Sequence, residues 1–305
     1  MTDQAADTGA AASSLADAIR ARLRRAPRDT LSRWDVPRQA LLARHLGFGP
    51  VPPIPVVHVI GDSHVLFFCG TSGLSKVRFR RFGLIRPDYL SRGVELLPCF
   101  RVFHLGPATA WQAFEFGSTT RGREKLESLL RRDVGRDQSV LLSYGEIDCR
   151  CHIPRAVLAG APMAQAVEQT VARFMRLPLD LQARGLRAAV WGPPAVTAQP
   201  EALKDPQHPL PEVGPLELRR EITRAYMQQL QTSCAAAGIP CVCLADQFID
   251  ASEPAMAQGQ IDGCHLAAHM MPIALARLQA SGVLIIQRAL ARNPATLRDG
   301  RLNMS

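Results

Sequence analysis

From residue 54 onward, short apolar runs alternate with longer amphipathic stretches, which predicts βα units around a mostly parallel sheet. The runs Val56–Ile60, Phe100–Leu105, Val140–Ser143, Ala188–Trp191 and Ile239–Leu244 are each short and rich in β-branched or aromatic residues. Strands covered by helices on both faces take this form, because neither face meets water. Helical spacing predicts the covering layers: Val167, Val171, Phe174 and Met175 share one helix face, and Leu218, Ile222, Ala225 and Tyr226 share another. Seven prolines, Pro193, Pro194, Pro200, Pro206, Pro209, Pro211 and Pro215, keep segment 193–215 out of regular structure. It reads as a long loop near the strand ends and a candidate substrate lid.

The ends differ from this middle. Residues 1–50 form an N-terminal helical extension, with Leu15, Ile19 and Leu23 on one helix face and Arg20, Arg24, Arg25 and Arg28 nearby. Such a helix packs on a core or lies peripherally on an anionic surface. Residues 51–292 make the α/β domain, and the polar residues 293–305 a C-terminal tail.

At 305 residues with 47% apolar composition, the chain is long enough for a substantial core, which excludes a disordered or disulfide-stapled miniprotein. It has neither a run of ~20 apolar residues nor a secretory leader pattern, so no transmembrane segment and a cytoplasmic location are expected. Eight cysteines then read as reduced thiols. The net charge of +9 comes almost wholly from arginine, since Lys76, Lys125 and Lys204 are the only lysines. That bias weakens a nucleic-acid reading, and no nucleic-acid partner is expected. The patch Arg78, Arg80 and Arg81, interleaved with Phe79 and Phe82, is a solvated run or a grip for an anionic polymer.

In a parallel sheet, functional residues collect in loops leaving the carboxyl ends of the strands. The first such loop reads Gly61-Asp62-Ser63-His64, which puts a hydroxyl at the start of the next helix. The last reads Asp262-Gly263-Cys264-His265, where an Asp three residues before a His can orient the imidazole while its other nitrogen faces a nucleophile. Serine hydroxyls need such a base.

With these two blocks in this order, the chain resembles the SGNH/GDSL hydrolase family over roughly residues 54–285. The resemblance implies an α/β fold, a three-layer α/β/α sandwich with a mostly parallel, five-stranded sheet of flavodoxin-like kind. It implies Ser63 as nucleophile, His265 as base and Asp262 as the residue orienting it. In the place of the family's second block stands Gly106, whose N–H would help bind an oxyanion. The third block departs from the family's G-x-N-D pattern: Gly145-Glu146-Ile147-Asp148 puts an isoleucine in the asparagine slot. One missing oxyanion donor costs on the order of 100- to 1000-fold in turnover.

Two readings of Arg150 follow. It is a charged donor or substrate-recognition group held by Glu146 and Asp148, or a structural partner of those carboxylates. His64 is either a polar residue at a helix start or a site-lining group that binds substrate or pairs with Asp148. Cys149, Cys151 and His152 lack a convincing zinc spacing, and Cys241 and Cys243 sit inside an apolar strand.

The function implied is hydrolysis of a carboxylic ester, an O-acyl group on a carbohydrate or related metabolite, with a small-molecule or glycan ester as partner. This chemistry requires no cofactor and no metal. Two alternatives stand beside it: an O-acyltransferase using the same triad, and a non-hydrolytic fold relative that binds an anionic glycan or partner protein.

Overall fold

The computed structural model describes residues 56–69, 77–78, 91–92, 99–197, 211–245, 259–260 and 264–284. The N-terminal extension, the C-terminal tail, most of the Arg/Phe patch and the middle of the proline-rich segment lie outside the described residues.

The chain runs β1 (Val57–Gly61), a 3-10 helix (Ser63–Cys69), β2 (Val77–Arg78), β3 (Ser91–Arg92), β4 (Phe100–His104), α1 (Gly122–Asp133) and β5 (Ser139–Ser143). A π-helical turn (Asp148–His152), α2 (Ile153–Leu158), α3 (Met163–Ala183), β6 (Arg187–Trp191), α4 (Leu216–Ala236), β7 (Cys241–Val242) and α5 (Met271–Ala280) complete it. The sheet order is β2-β3-β4-β1-β5-β6-β7. Strands β4, β1, β5, β6 and β7 are parallel, while β2 and β3 add a short antiparallel edge. The five parallel strands are those read from the sequence, and they form the layout that the SGNH/GDSL resemblance implies. The edge strands went unforeseen, because two-residue strands carry no period.

Side chains of each central strand alternate between two cores. Ile60, Val140, Leu142, Ala188 and Val190 pack with Leu126, Leu129, Phe174, Leu177, Ile222 and Leu230, so α1, α3 and α4 cover one face. Val57, Val59, Leu141, Ala189 and Trp191 pack with Phe67, Phe68, Met271, Ala274 and Leu278, so the 3-10 helix and α5 cover the other. Full burial of each such large apolar side chain is worth roughly 1.5–3 kcal/mol. The parallel strand order, with β1 between β4 and β5, reverses direction at β1. Loops leaving β1 and β5 therefore part there, at the carboxyl edge of the sheet. No helix among the described residues is long and apolar enough to cross a membrane.

Candidate active site

The loop after β1 is built by close packing. A Cβ on Gly61 would lie 1.8 Å from the Ser143 carbonyl oxygen on neighbouring β5, so only glycine fits. The Asp62 N–H donates to that same carbonyl, and the Leu105 N–H donates to the Gly61 carbonyl at 2.8 Å. The Asp62 carboxylate accepts the His64 N–H at 3.0 Å, which folds the turn and leaves Ser63 half-buried at the strand end. Burial, with Glu146 nearby, pushes the Asp62 carboxyl well above the ordinary aspartate range.

His265 arrives from the other end of the chain. An antiparallel bridge pairs Gln260 with Leu266, and the Ala267 N–H donates to the Gly259 carbonyl. The Gln260 amide also bonds Thr197 and the Ala195 carbonyl, which ties this segment to the chain leaving β6. The result is a Ser63 Oγ to His265 Nε2 contact of 2.8 Å between residues 202 apart in sequence. The other ring nitrogen, Nδ1, lies 3.2 Å from Cys264 Sγ. Asp262, expected to orient this ring, lies outside the described residues.

The His64 ring stacks on His265, with centroids 4.5 Å apart and planes 20° from parallel. Its Nε2 lies 3.4 Å from Glu146 Oε2. Burial and the neighbouring His265 lower the His64 pKa, which favours the neutral ring. Arg150 grips Glu146 with two hydrogen bonds, Nε to Oε1 at 2.6 Å and Nη2 to Oε2 at 3.3 Å. Burial alone would raise the Glu146 carboxyl, but His64 and Arg150 outweigh it and hold it below the ordinary glutamate range.

Two expectations need correction. Of the readings open for His64, the pairing with Asp148 gives way to one with Glu146. Asp148 was placed among the substrate-facing groups and beside Arg150, yet it is 0% exposed and accepts the Ala110 and Trp111 N–H groups at 2.6 and 3.2 Å. The reason is local geometry. Gly145 takes φ 107°, where a Cβ would also strike the Tyr226 hydroxyl at 2.6 Å. The chain then enters a helical turn, so that Glu146 faces His64 and Asp148 anchors the loop after β4. Burial pushes the Asp148 carboxyl up to about 6.

Ile147 is 3% exposed, and its side chain brings no donor to the third block. Gly106 follows β4 with φ 97°, next to the β1 exit through the Leu105–Gly61 hydrogen bond. Lys125 Nζ fixes the same bend by donating to the Leu105 carbonyl at 2.7 Å. Cys264 was missed as a neighbour of the base, and its sole sequence signal is adjacency to His265.

No protein-family model matches the chain. No curated protein matches it either. Solved structures do resemble it. A carbohydrate acetylesterase from Sinorhizobium meliloti is 14% identical, with 75% of this chain and 96% of that one covered at a TM-score of 0.40. An M. smegmatis aryl esterase is 16% identical, with 75% and 99% covered at 0.40. A phospholipase A1 from Streptomyces albidoflavus is 14% identical, again with 75% and 99% covered at 0.40.

Proposed function

We propose that the protein hydrolyses carboxylic esters through Ser63, and that its substrate is an O-acyl group on a carbohydrate or related metabolite. The observation that carries this reading is the 2.8 Å contact between Ser63 Oγ and His265 Nε2 at the carboxyl edge of a parallel sheet. In this scheme His265 takes the hydroxyl proton as Oγ attacks the ester carbonyl, then gives it to the departing alkoxide. Water, activated by the same imidazole, releases the acyl group and regenerates the serine. Asp262 orients the imidazole and stabilises its charged form, as the D-x-x-H block implies.

The oxyanion donors in this scheme are the Ser63 and Gly106 N–H groups. Ile147 adds none, and Arg150 is engaged by Glu146, so turnover is expected to be slow beside an enzyme with a full donor set. A panel of acyl esters, with O-acetylated sugars set against simple aryl acetates, tests the proposal. Hydrolysis by wild type that disappears in Ser63→Ala supports it. Preference for the sugar esters in kcat/KM supports the finer substrate reading, and equal or better turnover of aryl acetates counts against it.

A further inference from the structure

His64, Cys264 and His265 each present a ligand atom within 4.8 Å of the other two. The Cys264 Sγ to His265 Nδ1 separation is already 3.2 Å, and the two imidazoles are held face to face. His64 is buried, and its Nε2 lies 3.4 Å from Glu146 Oε2, a long contact that leaves the ring loosely held. Tetrahedral zinc, with bonds of ~2.0–2.3 Å, spaces its ligands by roughly 3.3–3.8 Å. To aim both lone pairs at one ion, the His64 ring must rotate out of its stack on His265, and the 4.8 Å limit on the ligand-atom separations leaves about an ångström to close.

We propose that His64, Cys264 and His265 form an inhibitory site for zinc, which silences the serine by occupying its base. The donor set selects the metal. One thiolate and two imidazoles suit zinc and cobalt, and they bind the oxygen-seeking magnesium and calcium poorly. On binding, the Cys264 thiol releases its proton to solvent and the sulfur coordinates as thiolate. A neutral imidazole carries one lone-pair nitrogen. Once zinc holds it, the other nitrogen bears hydrogen, and His265 has no site left to accept the Ser63 proton. Metal binding and ester cleavage are therefore mutually exclusive. The inhibition rests on the ester-hydrolase reading, whereas the metal site does not.

The test uses the full chain, stripped with a chelator and titrated with cobalt(II) as the spectroscopic probe. The expected result is one cobalt per chain, with thiolate-to-cobalt charge-transfer absorption and the intense visible bands of a four-coordinate centre, both abolished by added zinc. Cys264→Ser and Cys264→Ala should lose the charge-transfer band, and His64→Ala should weaken cobalt binding at least about tenfold, with folding checked by circular dichroism. With zinc at about ten times its Kd, mass action leaves roughly a tenth of the sites metal-free, so fluorophosphonate labelling of Ser63 should slow about tenfold and recover with EDTA. A band that survives in both Cys264 variants, or its absence from wild type, overturns the site. Labelling at the same rate with and without bound zinc overturns the inhibition. If metal-free protein never labels while the band follows Cys264, the metal site is upheld and the ester-hydrolase reading is what fails.

Discussion

Arg150 presents Nε and Nη2 to a carboxylate that is almost wholly out of water, and this decides what its removal should do. Arg150→Ala leaves Glu146 buried without its cation. Breaking one side of such a pair destabilises by about 3 kcal/mol or more, whereas a pair in open solvent would lose less than about 1 kcal/mol. Urea unfolding should show that loss, while turnover per folded molecule changes less than about tenfold. Intact stability with roughly 100-fold lower kcat/KM would instead make Arg150 a transition-state donor. At this scale the sequence paired Ser63 with His265 through its first and last loop blocks, and Arg150 with Glu146 through their spacing, and the structure puts both pairs within hydrogen-bond distance. The sequence did not reveal which carboxylate faces which base. That depends on the positive φ at Gly145, which sends Glu146 and Asp148 to different partners.

At the scale of elements, the two ends of the β5 exit respond to pH with opposite sign. The folded Glu146 carboxyl titrates below its ordinary 4.5, so its contribution to stability is complete above that pH and is lost as pH falls through the folded value. Asp148 titrates up to about 6 against an ordinary 3.8, so its contribution is present at low pH and lost as pH rises through about 6. Comparing wild type with Glu146→Gln isolates the first. The stability advantage of wild type should be largest near pH 7 and shrink below about 4.5, measured by urea unfolding at both pH values. An advantage that grows on acidification would contradict the ion-pair assignment.

The β1 turn makes a second prediction. Gly61→Ala sets a methyl carbon 1.8 Å from a backbone oxygen, so β1 and β5 must separate. A loss of several kcal/mol or failure to fold is expected, since neither strand has room to yield. Thermal unfolding that matches wild type would show that the loop is looser than described. Strand and helix positions were readable here from alternation and helical spacing. The antiparallel edge was not, because Val77–Arg78 and Ser91–Arg92 owe their conformation to β4 rather than to their own pattern.

Across the whole molecule, the parallel order with β1 at its reversal brings residues 63 and 146 to one edge of the sheet, where residue 265 joins them from a distant part of the chain. That convergence was legible because strand ends are where such a sheet collects its chemistry. The imidazole stack of His64 and the thiol of Cys264 were not, since no periodicity marks a side chain that contacts another loop. The serine-base assignment has a direct measurement: intact-mass spectrometry after treatment with a fluorophosphonate, followed by peptide mapping. The prediction is a single adduct on Ser63, absent from Ser63→Ala and formed far more slowly by His265→Ala. No adduct under conditions that saturate a control serine esterase, or equal labelling of Ser63→Ala, would contradict it.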